Sequence, residues 1–388
     1  MTSTTTIGSF AKITKGSGLA KSDLTSHGAN PCIHYGELFT QYGAVIDEVR
    51  SRTDRDLPVK SCMGDVLMPT SDVTPSGLAK ASAMMCSDVG LGGDVLIIRP
   101  DRAKVDSRFL AYAIRYDANQ VLSLVRGSTV YHLYAADMRQ FRLQSLPIAE
   151  QAGVADALGD ADALVAILER LIAKKRDIKQ GMMQCLLTGR SRLPGFRSEW
   201  SHRVLGDIAN VTMGQSPSGR SYNVSGRGLP LIQGNADIRE RRTFDRVWTT
   251  DPTKRVRAGE VVMTVRAPVG YTGLATRNAC LGRGVCGISA GESTRFLFHS
   301  LVFKESEWTS QKQGSTFTSV NSNQVRSFEI HWPDDVDERV AISRVIDDAE
   351  DEIHVLKLRL ESSRAIKRGM MQQLLTGRTR LPVGEAAV

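Results

Sequence analysis

Residues able to do covalent or metal chemistry are present in this sequence, but none of them forms a catalytic set. The six cysteines, Cys32, Cys62, Cys86, Cys185, Cys280 and Cys286, include no Cys-x-x-Cys pair, and no histidines follow at zinc-ligand spacing. Scattered single thiols in a chain of 388 residues suit a reducing compartment. The seven histidines pair with no clear nucleophile or metal cluster. Gly16-Ser17-Gly18-Leu19-Ala20-Lys21-Ser22 has the outline of a phosphate loop, but Ala20 stands where that loop requires glycine. Its counterpart in the second half, from Gly214 onward, lacks the Lys-Ser pair.

Cations are what recur. The formal net charge is +8, which favours a polyanionic partner. Lys12, Lys15 and Lys21 flank a Gly/Ser-rich loop, and Arg99, Arg102 and Lys104 form a second group. Arg220 and Arg227 occupy the equivalent loop of the second half, followed by Arg239, Arg241, Arg242 and Arg246, while Arg266 and Lys312 stand near two other repeated anchors. Ammonium and guanidinium groups neutralise phosphates, and side chains on base edges discriminate between sequences. Taken singly, each residue has a solvated-surface reading; as groups they are the candidate nucleic-acid face. Ser128 and Ser315 belong to Gly-Ser-Thr strings that are either phosphate- or base-approaching loops or plain turns.

The elements that position these groups come from a duplication. Gly181-Met182-Met183-Gln184-Cys185-Leu186-Leu187-Thr188-Gly189-Arg190 returns as Gly369-Met370-Met371-Gln372-Gln373-Leu374-Leu375-Thr376-Gly377-Arg378, and Arg192-Leu193-Pro194 returns as Arg380-Leu381-Pro382. Weaker echoes join Gly8–Thr14 to Gly206–Thr212, Gly64–Met68 to Gly259–Met263, and Arg126–Thr129 to Gln313–Thr316. Between these anchors the two halves differ freely.

Before each repeated string runs an apolar series with alternating spacings of four and three. It reads Val154, Leu158, Ala161, Val165, Leu168, Ile172 in the first half and Ile342, Ile346, Ala349, Ile353, Leu356, Leu360 in the second. That is the seam of a helix that pairs with another helix. The spacing predicts two helices of about 35 residues, roughly 50 Å each. Gly189 and Gly377 stand at the cap positions, with Pro194 and Pro382 beyond. Equal seams in one chain predict an antiparallel coiled coil across a pseudo-two-fold axis. The remaining segments carry short β-like runs, Asp94–Ile98 and Glu260–Val265 among them, with shorter helices expected near Arg108–Asp117 and Arg295–Lys304. With 41% hydrophobic residues the chain has material for packed cores. The fold class read from this is α+β: two similar mixed domains over 1–150 and 200–335, joined and spaced by long helices within 151–195 and 336–388.

The strings Ala173–Phe196 and Ser362–Pro382, with Leu205–Ser218, Leu231–Ile238 and Gln313–Asn321, resemble the specificity subunits of type I restriction–modification enzymes. The resemblance implies that the two globules are target recognition domains and that the helices dock two methyltransferase subunits, with restriction subunits joining through the complex. It implies an asymmetric, bipartite target in double-stranded DNA. S-adenosylmethionine and ATP then belong to partner subunits, and this chain carries no cofactor or metal. Consistently, no (Asn/Asp)-Pro-Pro-(Tyr/Phe) string of an amino-methyltransferase occurs, and a target base must be flipped into a pocket on the partner. Exposed methionine suits adaptable apolar contact, so Met183, Leu187 and Arg190, with Met371, Leu375 and Arg378, are the candidate docking residues. For Met182 and Met370 the alternative is coiled-coil core. The basic flanks, Lys174, Lys175, Arg176 and Lys179 with Lys367 and Arg368, face either the partner or DNA phosphates. Polar Met1–Thr6 and the lack of any long apolar run lead us to expect a cytoplasmic chain without a membrane partner. The rival reading is a non-catalytic coiled-coil scaffold whose globules bind proteins; a steep salt slope with sequence preference separates the two.

Overall fold

The computed structural model describes residues 3–310 and 319–381, which divide into two units. The first runs to Glu169 and takes in the residues from Leu358; the second is Arg170–Lys357. In the first, β1 (Ala11–Lys15), β2 (Val45–Ile46), β3 (Val66–Pro69), β4 (Ser82–Met84) and β5 (Val95–Pro100) form one sheet in the order β1-β5-β3-β4-β2. Its neighbours are antiparallel except β4 and β2, which run parallel. Val66, Leu67 and Met68 are all fully buried, so this central strand reads as an unbroken apolar run. Alternation divides the side chains between two cores: Val66, Met68, Leu96 and Ile98 enter one, and Leu67, Val95 and Ile97 the other. The helix Ser107–Tyr116 covers the first of these faces with Phe109, Leu110 and Ile114, its N-terminus capped by Asp106.

The second unit repeats the design. β6 (Asn210–Met213), β7 (Ile238–Arg239), β8 (Arg242–Thr243), β9 (Val261–Thr264), β10 (Thr272–Leu274) and β11 (Val285–Ser289) lie in the order β6-β11-β9-β10-β8-β7. Without the edge strand β7, that is the order of the first sheet, and again the one parallel pair is β8 with β10. Val261, Met263, Cys286 and Ile288 enter one core and Val262 and Val285 the other. Smaller sheets match as well: Asn30–Ile33 runs parallel to Gly90–Leu91, and Leu229–Ile232 parallel to Ala279–Leu281. Even the close approaches coincide. A Cβ on Gly16 would lie 2.0 Å from the Gly92 carbonyl oxygen, and one on Gly214 would lie 2.1 Å from that of Gly282.

Two helices of 39 residues each, α1 (Ile148–Leu186) and α2 (Val336–Leu374), carry the seams. At 1.5 Å per residue each is about 58 Å long. Within the first unit Val154, Leu158 and Leu168 of α1 are buried, as are Leu360, Ser363 and Leu374 of α2. Within the second, Ile172, Met183 and Leu186 are buried with Ile342, Ile346 and Ile353. Cross-helix ion pairs fix the direction. Asp162 meets Lys367 and Glu169 meets Arg364 in the first unit; Lys175 meets Glu352 and Lys179 meets Glu350 in the second. Numbers rise on α1 as they fall on α2, so the pairing is antiparallel in both units.

The repeated strings close the helices. Gly189 (φ 69°) and Gly377 (φ 68°) take the left-handed conformation that glycine favours at helix ends. The arginine that follows then turns back on the other helix. Arg192 donates two hydrogen bonds, of 2.6 and 2.7 Å, to fully buried Glu338 at the start of α2. Its equivalent Arg380 does the same for Glu150, 2% exposed, at the start of α1. Among the described residues no helix is long and apolar enough to cross a membrane.

Candidate nucleic-acid interface

The first-unit cations separate once the sheet forms. Lys12 and Lys15 are three residues apart on β1, so alternation sends them to opposite faces. Lys12 is exposed and lies directly across from Arg99 on β5. Lys15 instead pairs with Asp94 at 3.1 Å. Arg99 is half exposed, but its guanidinium grips both oxygens of fully buried Asp65 at 2.7 and 2.8 Å. Those hydrogen bonds hold the Arg99 pKa above its ordinary value. Its first duty is therefore to neutralise a buried carboxylate. Lys104 pairs with Asp101 at 3.3 Å; Lys21 and Arg102 are exposed. Ser128 is exposed on a tight turn, where a Cβ on Gly127 would lie 2.1 Å from the Val130 carbonyl.

In the second unit Arg220 and Arg227 are exposed and flank one loop. The cluster from 239 to 246 divides by geometry. β7 and β8 form a hairpin whose two tip residues, Glu240 (φ 45°) and Arg241 (φ 63°), both take left-handed backbone angles. Such tips normally require Asn-Gly, so the conformation is held from outside. Arg241 supplies the hold: it pairs with Glu305 at 2.5 Å, stacks on the Tyr271 ring at 4.6 Å and donates to the Thr272 carbonyl. Arg241, expected as a candidate DNA contact, thus serves as an anchor of the hairpin. Arg239 stacks on Phe244 at 4.3 Å, and Arg246 pairs with Asp237 at 3.4 Å. Arg242 stays exposed and lines a cleft of about 530 Å³ with Arg176, Lys179, His354 and Lys357, opposed by Glu240, Glu350 and Asp351. Arg266 is exposed beside the described bridge to Ser319, whereas Lys312 and Ser315 lie outside the described residues.

The expected docking residues need a correction as well. Met183 (5% exposed), Leu187 (4%) and Leu375 (4%) are core residues, and Met371 is half-buried against the first core. The last turn of each helix packs onto a globule, so its apolar side chains are consumed within this chain. Met182 and Met370 are half-buried against the same two cores. Arg190 and Arg378 remain exposed. The basic flank also divides: Lys175, Lys179 and Lys367 make the cross-helix pairs, leaving Lys174, Arg176 and Arg368 exposed.

Sequence reasoning missed the polar ties that fasten each short helix to a long one. Arg108 pairs with Asp156 at 2.6 Å, and the Tyr112 hydroxyl donates to Asp162 at 2.9 Å. In the second unit Arg295 and buried His299 both engage Asp347, His299 at 2.8 Å. Burial raises the Asp347 pKa, but the hydrogen bonds from His299 and Arg295, with their charges, outweigh it and leave it below the ordinary carboxylate value. A signal existed, since Arg108-Phe109-Leu110 recurs as Arg295-Phe296-Leu297.

Comparison with known proteins agrees with this geometry. Residues 197–361 match the family model for the type I restriction modification DNA specificity domain. The chain is 26% identical over 307 residues to the putative type I restriction enzyme MjaX specificity subunit of Methanocaldococcus jannaschii, covering 75% of this chain and 72% of that protein. Its fold is shared with the type I restriction–modification S subunit from M. genitalium, with a TM-score of 0.67 and 14% identity over 96% of each chain. A structure described as underlying complex assembly and conformational transition of the type I R-M system shares it too, with a TM-score of 0.58 and 21% identity over 97% of this chain and 98% of that one. Residues 197–361 thus match the type I restriction modification DNA specificity domain, and the chain as a whole is similar in sequence and fold to type I specificity subunits.

Proposed function

We propose that this chain reads an asymmetric, two-part site in double-stranded DNA and brings two methyltransferase subunits, and through them restriction subunits, to that site. One observation carries the reading: the two units share a five-strand order down to the single parallel pair, yet differ in the residues on their connecting loops. Equal scaffolds with unequal loops suit two similar tasks on two different sequences. Exposed Lys12, Lys21 and Arg102 in the first unit, and Arg220, Arg227, Arg242 and Arg266 in the second, are the phosphate-neutralising set. Chemistry then rests with partner subunits, where S-adenosylmethionine and ATP are bound, and the target adenine leaves the duplex to reach the methylating pocket. The complex works in the cytoplasm.

Methylation-aware sequencing of DNA from cells expressing the chain with its methyltransferase subunit tests this directly. The expected result is one two-part motif modified throughout the genome. Absence of any modified motif, with binding to protein partners unaffected by salt, would overturn the proposal in favour of a protein-binding scaffold.

A further inference from the structure

The duplication supplies an internal comparison that points to a base-reading residue. In the first unit Thr25 pairs with Arg52 and Asn30 with Thr53, and Ser26–Ala29 connect these paired positions. In the second, Asn223 pairs with Trp248 and Leu229 with Thr249, and Val224–Gly228 connect them. Anchors and strands correspond, but one tip carries Ser26 and His27 while the other, one residue longer, carries Val224 and Arg227. Where a scaffold is retained and a tip is not, the tip holds what differs between the two tasks.

The Val224 loop is built to present an apolar group. Val224 is 81% exposed, so water meets a side chain that gains nothing within this chain. Its loop is nonetheless fixed. The Asn223 side chain accepts from the Arg227 backbone N–H at 3.0 Å and from the Ser225 hydroxyl at 3.1 Å, and donates to the Arg227 carbonyl at 2.9 Å. Gly228 (φ 86°) seats the loop's end so tightly that a Cβ there would lie 2.0 Å from the Thr249 carbonyl oxygen. Exposed Arg220 and Arg227 stand on either side of Val224 in the sequence, so the segment that carries it is positively charged. An apolar knob on a hydrogen-bonded loop in a positively charged segment suits a duplex groove, with phosphates taken by the arginines and an apolar base edge by the tip. The apolar group that the major groove offers is the thymine 5-methyl.

We infer that Val224 is a specificity-determining residue that packs on the 5-methyl group of one thymine in the half-site read by the second unit. This rests on the DNA-reading function proposed above. It is tested with the full chain co-purified with its methyltransferase subunit, at fixed salt, first by selection from a randomised duplex pool. Each thymine of the selected site is then replaced singly by uracil, which removes only the methyl. One replacement should weaken the wild type about fourfold, the worth of one methyl removed from water. The same replacement should leave Val224→Ala unchanged, because the partner surface is already gone. If no thymine shows this coupling, or if Val224→Ala selects the same site with equal affinity, the assignment is overturned. If the wild type selects no duplex, the DNA-reading function itself has failed.

Discussion

Replacing Arg192 by alanine tests why the repeated strings continue to Arg-Leu-Pro. Glu338 is fully buried and accepts two hydrogen bonds from Arg192 and one, at 3.1 Å, from the Trp200 indole. Removing one partner of a buried pair costs about 3–5 kcal/mol because a charge is left uncompensated. Here the Arg192 side chain is 30% exposed and Trp200 still donates, so water and the indole recover part of that. We therefore expect a loss of about 2–3 kcal/mol, which for a unit of this size lowers its melting temperature by roughly 5–10 °C. The assay follows from the composition: all four tryptophans, Trp200, Trp248, Trp308 and Trp332, fall in the second unit, so fluorescence reports its unfolding selectively. Arg380→Ala breaks the equivalent pair with Glu150 in the first unit and should shift circular dichroism while moving the fluorescence transition much less. A fluorescence midpoint that Arg192→Ala moves by under about 2 °C would refute the reasoning, since an exposed contact is worth that little.

Four further outcomes follow. Leu187→Ala, in the second core, should cost about 3 kcal/mol by cavity formation and lower the fluorescence midpoint, whereas exposed Arg190→Ala should not; the reverse pattern would restore the helix-end string as a docking face. Arg227→Ala should weaken duplex binding across sequences and reduce the slope of log affinity against log salt by about one, measured by fluorescence anisotropy, while Arg241→Ala should act through hairpin stability instead. Because the Asp347 pKa is depressed on folding, its contribution is present above the ordinary carboxylate range and is lost as pH falls through the folded value; Asp347→Asn should therefore flatten the acid limb of the fluorescence-monitored stability profile. Reversing Arg364→Glu should cost up to about 1 kcal/mol in thermal unfolding, and adding Glu169→Arg should recover most of it if the two side chains meet as described.

Helix pairing and the duplication were legible in the sequence because both are local. A seam repeating every seven residues needs no knowledge of distant chain, and Val154 to Ile172 and Ile342 to Leu360 are buried or half-buried where the spacing put them. Glycines at 189 and 377 announced left-handed helix ends for the same reason. Which arginine is free and which is held was not legible. Arg227 and Arg241 have the same side chain and similar polar neighbours in sequence. Yet Arg241 meets Glu305, 64 residues away, and Arg227 meets solvent.

The same limit explains the helix-end string. Met183, Leu187 and Leu375 read as adaptable surface because a seam of a/d positions accounts for only one side of a helix. That the other side is covered by a globule follows from where the chain returns after Gly189 and Gly377, and no residue in the string encodes that return by itself. Periodicity is written in neighbours three and four apart, so the sequence alone sets it. Burial of a charge or a methionine depends on which remote segment arrives against it, and only the packed chain decides that.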